Sequence, residues 1–172
     1  MGPLDELHTH IVHDTVVELD VGIVSRHLAG DPQVQPIGDV SSAIARLAQA
    51  GVRIAIITSD DRAATEATLP LLGIAGLVDV LVCGDDDVPN KPAPDALWQM
   101  GRQFDVDPAQ MLMVGDTAGD MIFGRNAGVS GCIGIRGGAG DPFKLSHHAN
   151  SIVDSINCIE VVNPLTDSPR LV

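Results

Sequence analysis

The sequence predicts a three-layer α/β fold with a mostly parallel sheet. Apolar runs of strand length alternate along the chain with segments of helical period, which is the pattern of strands connected by helices. These runs are nearly continuous in their apolar character, as is typical of parallel strands that are buried on both faces. The chain has 172 residues, of which 45% are hydrophobic, so it is long enough for one compact domain and too short for two.

Four strands and four helices follow from these patterns. The predicted strands are 52–57, 78–82, 111–114 and 131–135. The predicted helices start at Asp39, near residue 62, after Pro92 and near residue 117, and three of them end at Gly51, Gly73 and Gly128. We expect an N-terminal segment over 1–37, a core domain over 38–162 and a tail over 163–172.

Charge and hydropathy exclude several classes of partner. The net charge of −13 argues against nucleic acid and against an anionic membrane surface, because both require a face rich in Lys and Arg. No apolar stretch reaches the roughly 20 residues that span a bilayer, and the opening residues lack the basic and apolar regions of a secretory signal. We therefore expect a soluble, cytoplasmic protein that needs a metal cation to handle an anionic substrate.

Polar residues stand where predicted strands end, and ligands of open α/β sheets bind beyond those ends. Thr58 and Ser59 precede a helix, where a hydroxyl group, free backbone N–H groups and the helix dipole suit a phosphate, although a plain helix cap has the same residues. Asp116 and Asp120 are four residues apart across a helix start, where they could face a divalent cation or simply complement the dipole. Lys91 is followed by a proline that restricts its backbone to extended conformations.

The order and spacing of these residues resemble the motifs of the haloacid dehalogenase (HAD) superfamily. Residues 54–59 (IAIITS) are similar to its second motif, 90–95 (NKPAPD) to its third and 113–120 (MVGDTAGD) to its fourth. The resemblance runs from about Pro36 to Ile135 and is closest to the phosphoglycolate phosphatase-like members. It implies a Rossmann-like HAD core whose cap domain is absent or reduced to an N-terminal helical remnant.

The resemblance also implies an activity and a role for each residue. It implies a magnesium-dependent phosphate monoester phosphatase that acts on a small phosphorylated metabolite through an aspartyl-phosphate. Thr58, Ser59 and Lys91 would bind the phosphoryl group, Asp116 would bind Mg²⁺, and Asp120 would bind or orient the metal. These roles suit phosphoryl transfer, which depends mainly on positioning and on neutralising the phosphoryl oxygens.

The first motif of the superfamily, a strand that ends in Asp-x-Asp-x-Thr, has no counterpart string in the sequence. In one interpretation, the nucleophilic strand is absent and the segment is an amphipathic helix that resembles the end of a cap domain. The residues that indicate this helix recur at spacings of three and four: Val12, Val16, Leu19, Ile23 and His27. The helical spacing favours this interpretation. The chain would then be a truncated or non-catalytic module that binds phosphate and magnesium without a nucleophile.

In the other interpretation, residues 15–19 form the strand and Asp20 is the nucleophile. Gly22 then stands where the superfamily usually has a second aspartate, and Val24 replaces the hydroxyl residue of the motif. Glycine at that place can contribute only its backbone, so turnover would be poor or differently specialised. Neither interpretation predicts an oligomeric state.

Overall fold

The computed structural model describes residues 9–12, 16–19, 25–26, 35–138 and 140–162, and for the residues before 37 and for residue 162 it describes the backbone alone. The described strands are β1 (Thr9–Val12), β2 (Val16–Leu19), β3 (Ser25–Arg26), β4 (Gln35–Pro36), β5 (Arg53–Ile57), β6 (Val80–Val82), β7 (Met111–Gly115), β8 (Gly131–Ile135), β9 (Ser151–Val153) and β10 (Ile159–Val162). The described α-helices are α1 (Val40–Gln49), α2 (Arg62–Leu71), α3 (Asp95–Phe104), α4 (Ala118–Ala127) and α5 (Pro142–His148).

Six strands form the central sheet in the order β6-β5-β2-β7-β8-β9, and every neighbouring pair is parallel. This confirms the predicted α/β fold with a parallel sheet. The four predicted strands and four predicted helices are present, each within about two residues of its expected bounds. Two smaller pairings accompany the sheet: β1 is parallel to β10, and β3 is antiparallel to β4.

Helices cover both faces of the sheet and bury a core on each. On one face, α1 contributes Ile44 and Leu47 against Ile54 and Ile56 of β5. On the other face, α3, α4 and α5 pack against the alternate strand residues, among them Ala55, Ile57, Met111 and Met113. Successive side chains of a strand point to opposite faces, so the apolar run of β5 supplies both cores at once. This is the three-layer arrangement that the sequence predicts.

The helical interpretation of the N-terminal segment is wrong where the structure describes it. Val16–Leu19 is a strand in the centre of the sheet, where Leu19 pairs with Ile56 of β5 and with Val114 of β7. Without β2, the inner edges of β5 and β7 would have buried backbone N–H and C=O groups with no partner. This requirement outweighs a helical spacing that a few residues spread from 12 to 27 meet by coincidence.

The predicted division at residues 37 and 38 does not coincide with the sheet, because β2 precedes that boundary and pairs within the core. The division into segment, core and tail otherwise stays a prediction, and the tail over 163–172 lies outside the described residues.

Helix α4 approaches β7 and β8 closely at Gly124. A Cβ atom added to Gly124 would lie 2.7 Å from the Cβ atom of Met113 and 3.0 Å from the Sγ atom of Cys132. Both neighbours are buried, so they cannot move aside without disturbing the core. The absence of a side chain at Gly124 therefore sets the depth of the helix that carries Asp120.

We predict that Gly124→Ala lowers the free energy of unfolding by up to about 2 kcal/mol. Overpacking a core costs about 1–3 kcal/mol, and the better helix propensity of alanine returns about 1 kcal/mol of this. Urea denaturation measures the change. The matched control is Gly76→Ala, because a Cβ atom at Gly76 would have no neighbour within 4 Å. An equal effect of the two substitutions would contradict the close approach described for α4.

Candidate active site

Thr58 directly follows β5 and is 5% exposed, whereas its neighbour Ser59 is exposed. The Thr58 N–H donates to the Val82 carbonyl at 3.0 Å, which fixes the backbone of Thr58 to the neighbouring strand. The Thr58 Oγ1 atom accepts a hydrogen bond from the Asp60 N–H at 3.1 Å. A hydroxyl group that accepts from the backbone keeps its own proton, so Thr58 can still donate to an anionic ligand.

The N-terminus of α2, by contrast, is already occupied by carboxylates. The Arg62 N–H donates to Asp85 Oδ1 at 2.8 Å, and the Ala64 N–H donates to Asp61 Oδ1 at 2.8 Å. The expectation that free amides of this helix suit a phosphate is therefore wrong for these two groups. The loop between β5 and α2 offers the Thr58 hydroxyl group in their place.

Lys91 and Asp120 form a buried ion pair. The Lys91 Nζ atom lies 2.9 Å from Asp120 Oδ1, and the two side chains are only 10% and 5% exposed. The Lys91 Nζ atom also lies 5.6 Å from the centre of the Phe123 ring, within the range of a cation–π contact. The structure therefore brings together two residues that are 29 positions apart and that were separate candidates in the sequence.

The second carboxylate oxygen of Asp120 is also bonded. Asp120 Oδ2 accepts from the Thr117 N–H at 3.0 Å and from the Thr117 hydroxyl group at 2.6 Å. In return, the Asp120 N–H donates to Thr117 Oγ1 at 3.2 Å, so the two residues form a capping box at the start of α4. Asp120 therefore completes the helix cap and also pairs with Lys91, and its role towards a metal stays a prediction.

Asp116 follows β7 directly and is 3% exposed. The glycine-rich loop after β8 lies against it: a Cβ atom added to Gly138 would collide with the Asp116 carboxylate, and one added to Gly140 would collide with the Asp116 carbonyl oxygen. The sequence shows these glycines as a loop but does not show that they line the site. The available signal is their position shortly after β8, since β8 pairs with β7 and β7 directly precedes Asp116.

A magnesium ion prefers carboxylate oxygens, and the fit of the two aspartates to such an ion differs. The Asp116 carboxylate is buried. The residue before it, Gly115, lies against Asp120, because a Cβ atom added to Gly115 would lie 2.7 Å from Asp120 Oδ2. Asp120 has both oxygens engaged and fits the orienting role better than direct ligation. Within the described part of the chain, no three His, Cys, Asp or Glu side chains are grouped as a metal site.

The carboxyl ends of β5, β2 and β7 lie side by side at one edge of the sheet. Leu19 is the last described residue of β2 and pairs with Ile56 and Val114. Thr58 follows Ile56 by two residues, and Asp116 follows Val114 by two residues. Asp20, the candidate nucleophile, follows Leu19 in the chain and lies outside the described residues. Ligands of open parallel sheets bind at this edge.

No helix in the described ranges is long and apolar enough to cross a membrane.

The fold agrees with a comparison against protein families. The family model of haloacid dehalogenase-like hydrolases matches residues 3–128. The chain belongs to this family. The match includes the N-terminal segment and β2, which lie outside the region over which the motifs alone suggested the resemblance.

Individual relatives extend this finding. The chain is 35% identical over 120 residues to a phosphoglycolate phosphatase from Cupriavidus necator, over 70% of this chain and 52% of that protein. It is 31% identical to the pyrophosphatase PpaX from Bacillus mycoides, over 68% of this chain and 59% of that protein. The chain thus spans little more than half the length of these curated relatives.

Among solved structures, the chain is similar to a D,D-heptose 1,7-bisphosphate phosphatase from B. bronchiseptica, which was crystallised with magnesium and phosphate. The TM-score is 0.69 at 23% sequence identity, and the alignment covers 84% of this chain and 94% of that chain. At this identity the similarity shows the fold.

We predict a strong energetic coupling between Lys91 and Asp120. Lys91→Met leaves a buried carboxylate without its cation, so the free energy of unfolding falls by about 3 kcal/mol. Adding Asp120→Asn to this variant restores part of the loss, because a neutral amide is cheaper to bury than an unpaired charge. Urea denaturation of the four proteins at pH 7 in EDTA gives the double-mutant cycle.

Lys144→Met is the control for this cycle, because Lys144 is exposed. Removing this cation should change the free energy of unfolding little. Strictly additive effects of Lys91→Met and Asp120→Asn would mean that the pair contributes no net coupling in solution.

Proposed function

We propose that this chain is a magnesium-dependent phosphate monoester phosphatase that acts through an aspartyl-phosphate on Asp20. One observation carries the proposal: β2 lies between β5 and β7 and ends level with them. This is the position at which the HAD superfamily has the strand of its nucleophile. The residue that follows β2 in the sequence is an aspartate, which is the nucleophile that an aspartyl-phosphate requires.

The chain's own residues have distinct roles in this proposal. A carboxylate oxygen of Asp20 attacks phosphorus, and the bond from phosphorus to the ester oxygen breaks. Thr58, with Ser59 beside it, and Lys91 hold the phosphoryl oxygens by hydrogen bonds and charge while this happens. Water then attacks phosphorus, the bond to Asp20 breaks, and inorganic phosphate leaves with the carboxylate restored.

Asp116 is the proposed magnesium ligand in this chain. Bound magnesium would neutralise phosphoryl oxygens and lower the cost of bringing a carboxylate towards an anion. Asp120 holds the Lys91 ammonium group through its 2.9 Å ion pair and is itself held by Thr117. Asp20 is the candidate for a further carboxylate ligand beside Asp116, since the described residues offer no larger cluster.

Gly22 limits the kind of substrate that suits this chain. Glycine has no side chain that can protonate the departing oxygen, and such a general acid contributes about 10²–10⁴-fold in rate. A leaving group of low basicity departs without this help. Small aryl and acyl phosphates therefore fit the proposed site better than phosphates of simple alcohols.

The same departure from the first motif favours a second function, a non-catalytic module that binds phosphate and magnesium. This alternative keeps Thr58, Lys91 and Asp116 in their proposed roles and assigns no chemistry to Asp20. It predicts phosphate or magnesium binding without turnover. The phosphatase assay therefore discriminates between the two functions.

We expect the purified chain to hydrolyse p-nitrophenyl phosphate in the presence of Mg²⁺ and to stop in EDTA. Lys91→Ala and Asp116→Asn should each lower kcat/KM by about 100-fold or more, because each removes a charge that acts on the transition state. Release of p-nitrophenolate measures the rate. Lys144→Ala and Asp154→Asn are the matched controls, since Lys144 is exposed and the Asp154 side chain is 73% exposed.

Turnover that survives both Lys91→Ala and Asp116→Asn would exclude the assigned site. Binding of phosphate by a folded wild-type chain that shows no turnover would establish the non-catalytic alternative.

A further inference from the structure

The loops that follow β5 and β6 are joined to each other directly beside Thr58 and Ser59. The Gly84 N–H donates to the Asp60 carbonyl at 2.8 Å, and the Thr58 N–H donates to the Val82 carbonyl at 3.0 Å. A Cβ atom added to Gly84 would collide with the Ser59 carbonyl group. The loop after β6 therefore supports the proposed phosphate-binding loop at close range, and any shift of one loop moves the other.

Arg62, the first residue of α2, binds the loop after β6 through both its backbone N–H and its side chain. Its N–H donates to Asp85 Oδ1 at 2.8 Å. Its guanidinium group forms a two-pronged pair with Asp86, from Nε to Oδ1 at 3.0 Å and from Nη2 to Oδ2 at 2.6 Å. The same Nη2 atom donates to the Leu81 carbonyl at 3.1 Å. We call Arg62, Asp85 and Asp86 the Arg62 latch.

Asp86 is fixed on both sides. Its Oδ2 atom also accepts from the Cys83 N–H at 2.9 Å, so it holds the start of its own loop while it binds Arg62. The Arg62 guanidinium group, with the Cys83 amide, holds the pKa of Asp86 below its usual range. Asp86 is therefore charged at neutral pH, and a charged two-pronged pair is among the strongest and most directional contacts between side chains.

The guanidinium group of Arg62 is engaged by protein groups rather than directed to a ligand. Besides Asp86 and Leu81, its Nη1 atom contacts Glu66 Oε1 at 3.2 Å. Two carboxylates face this one cation, and they leave it little attraction for a phosphate. Arg62 therefore acts through the loops that it joins, as a positioning residue.

We propose that the Arg62 latch holds Thr58 and Ser59 in the geometry that binds the phosphoryl group. This inference rests on the proposed function and adds to it a residue outside the resembling motifs. It also explains the acidic run at 85–87, in which two of the three aspartates bind one arginine. Because Asp116 lies across β2 from this loop, the latch acts on phosphate binding and leaves magnesium binding unchanged.

The test compares Arg62→Ala, Arg62→Lys and Asp86→Asn with the wild-type chain. For Arg62→Ala, we expect KM for p-nitrophenyl phosphate and the inhibition constant of inorganic phosphate to rise about tenfold, because small displacements of a positioning group are costly. The values of kcat and of the magnesium activation constant should stay within about twofold, as expected for lost uniform binding. Arg62→Lys should restore little, since an ammonium group cannot form the two-pronged pair.

Arg46→Ala is the matched control. Arg46 also joins two parts of the chain through its guanidinium group, with Nη2 donating to the Asn157 and Ile159 carbonyls at 3.1 and 2.9 Å. It contacts neither of the loops after β5 and β6 in these bonds. Its loss should lower stability without changing KM or the inhibition constant of phosphate.

Two further measurements need no turnover. Calorimetric titration with inorganic phosphate should show about tenfold weaker binding for Arg62→Ala. Hydrogen exchange should become faster at the amides of Arg62, Cys83 and Gly84 but not in β7.

Wild-type phosphate binding without hydrolysis would overturn the proposed function alone. Unchanged phosphate affinity in Arg62→Ala and Asp86→Asn, or a parallel change in the magnesium constant, would overturn the latch.

Discussion

The structure depends on the backbone hydrogen bonds at the centre of its parallel sheet. Both faces of this sheet are covered by helices, so an unpaired N–H or C=O group of an inner strand has no access to water. β2 satisfies the facing edges of β5 and β7 at once. The pairing that completes the sheet therefore also places the end of β2 between the two loops that carry Thr58 and Asp116. Stability of the sheet and assembly of the site have one cause.

The charges of the site are arranged around this edge. Lys91 arrives from the connection between β6 and α3, and its ammonium group is held over the start of α4 by Asp120. Burial of both partners makes the pair expensive to break, and the capping bonds of Thr117 fix the carboxylate that orients the lysine. Gly124 allows α4 to lie close against β7, so packing in the core determines where this carboxylate stands.

Much of the fold could be predicted from the sequence, because its signals are local. The apolar runs of β5, β7 and β8 and the glycine stops after α1 and α4 lie within a few residues of the elements that they define. β2 could not be distinguished from a helix in this way. Its four residues are too few to show a period, and its conformation is decided by two strands that are distant in the sequence.

The candidate site was predictable in part for the same reason. Thr58, Asp116 and Asp120 stand at strand and helix ends that are visible in the sequence, and the parallel order of the strands brings Thr58 and Asp116 to the same end of the sheet. The ion pair of Lys91 with Asp120, the contact of Gly138 with Asp116 and the pairing of Arg62 with Asp86 join segments from different connections. No local pattern encodes such contacts, because each depends on how two loops meet in space.

We propose that Asp20, the residue that follows β2, is the nucleophile of this site. Intact-mass spectrometry of the folded chain after incubation with Mg²⁺ and acetyl phosphate tests it most directly, with Asp20→Asn and the neighbouring Asp14→Asn as the paired variants. We expect a phosphoryl adduct on the wild-type chain and on Asp14→Asn that is absent from Asp20→Asn. An adduct that persists in Asp20→Asn, or no adduct on a folded wild-type chain, would contradict it.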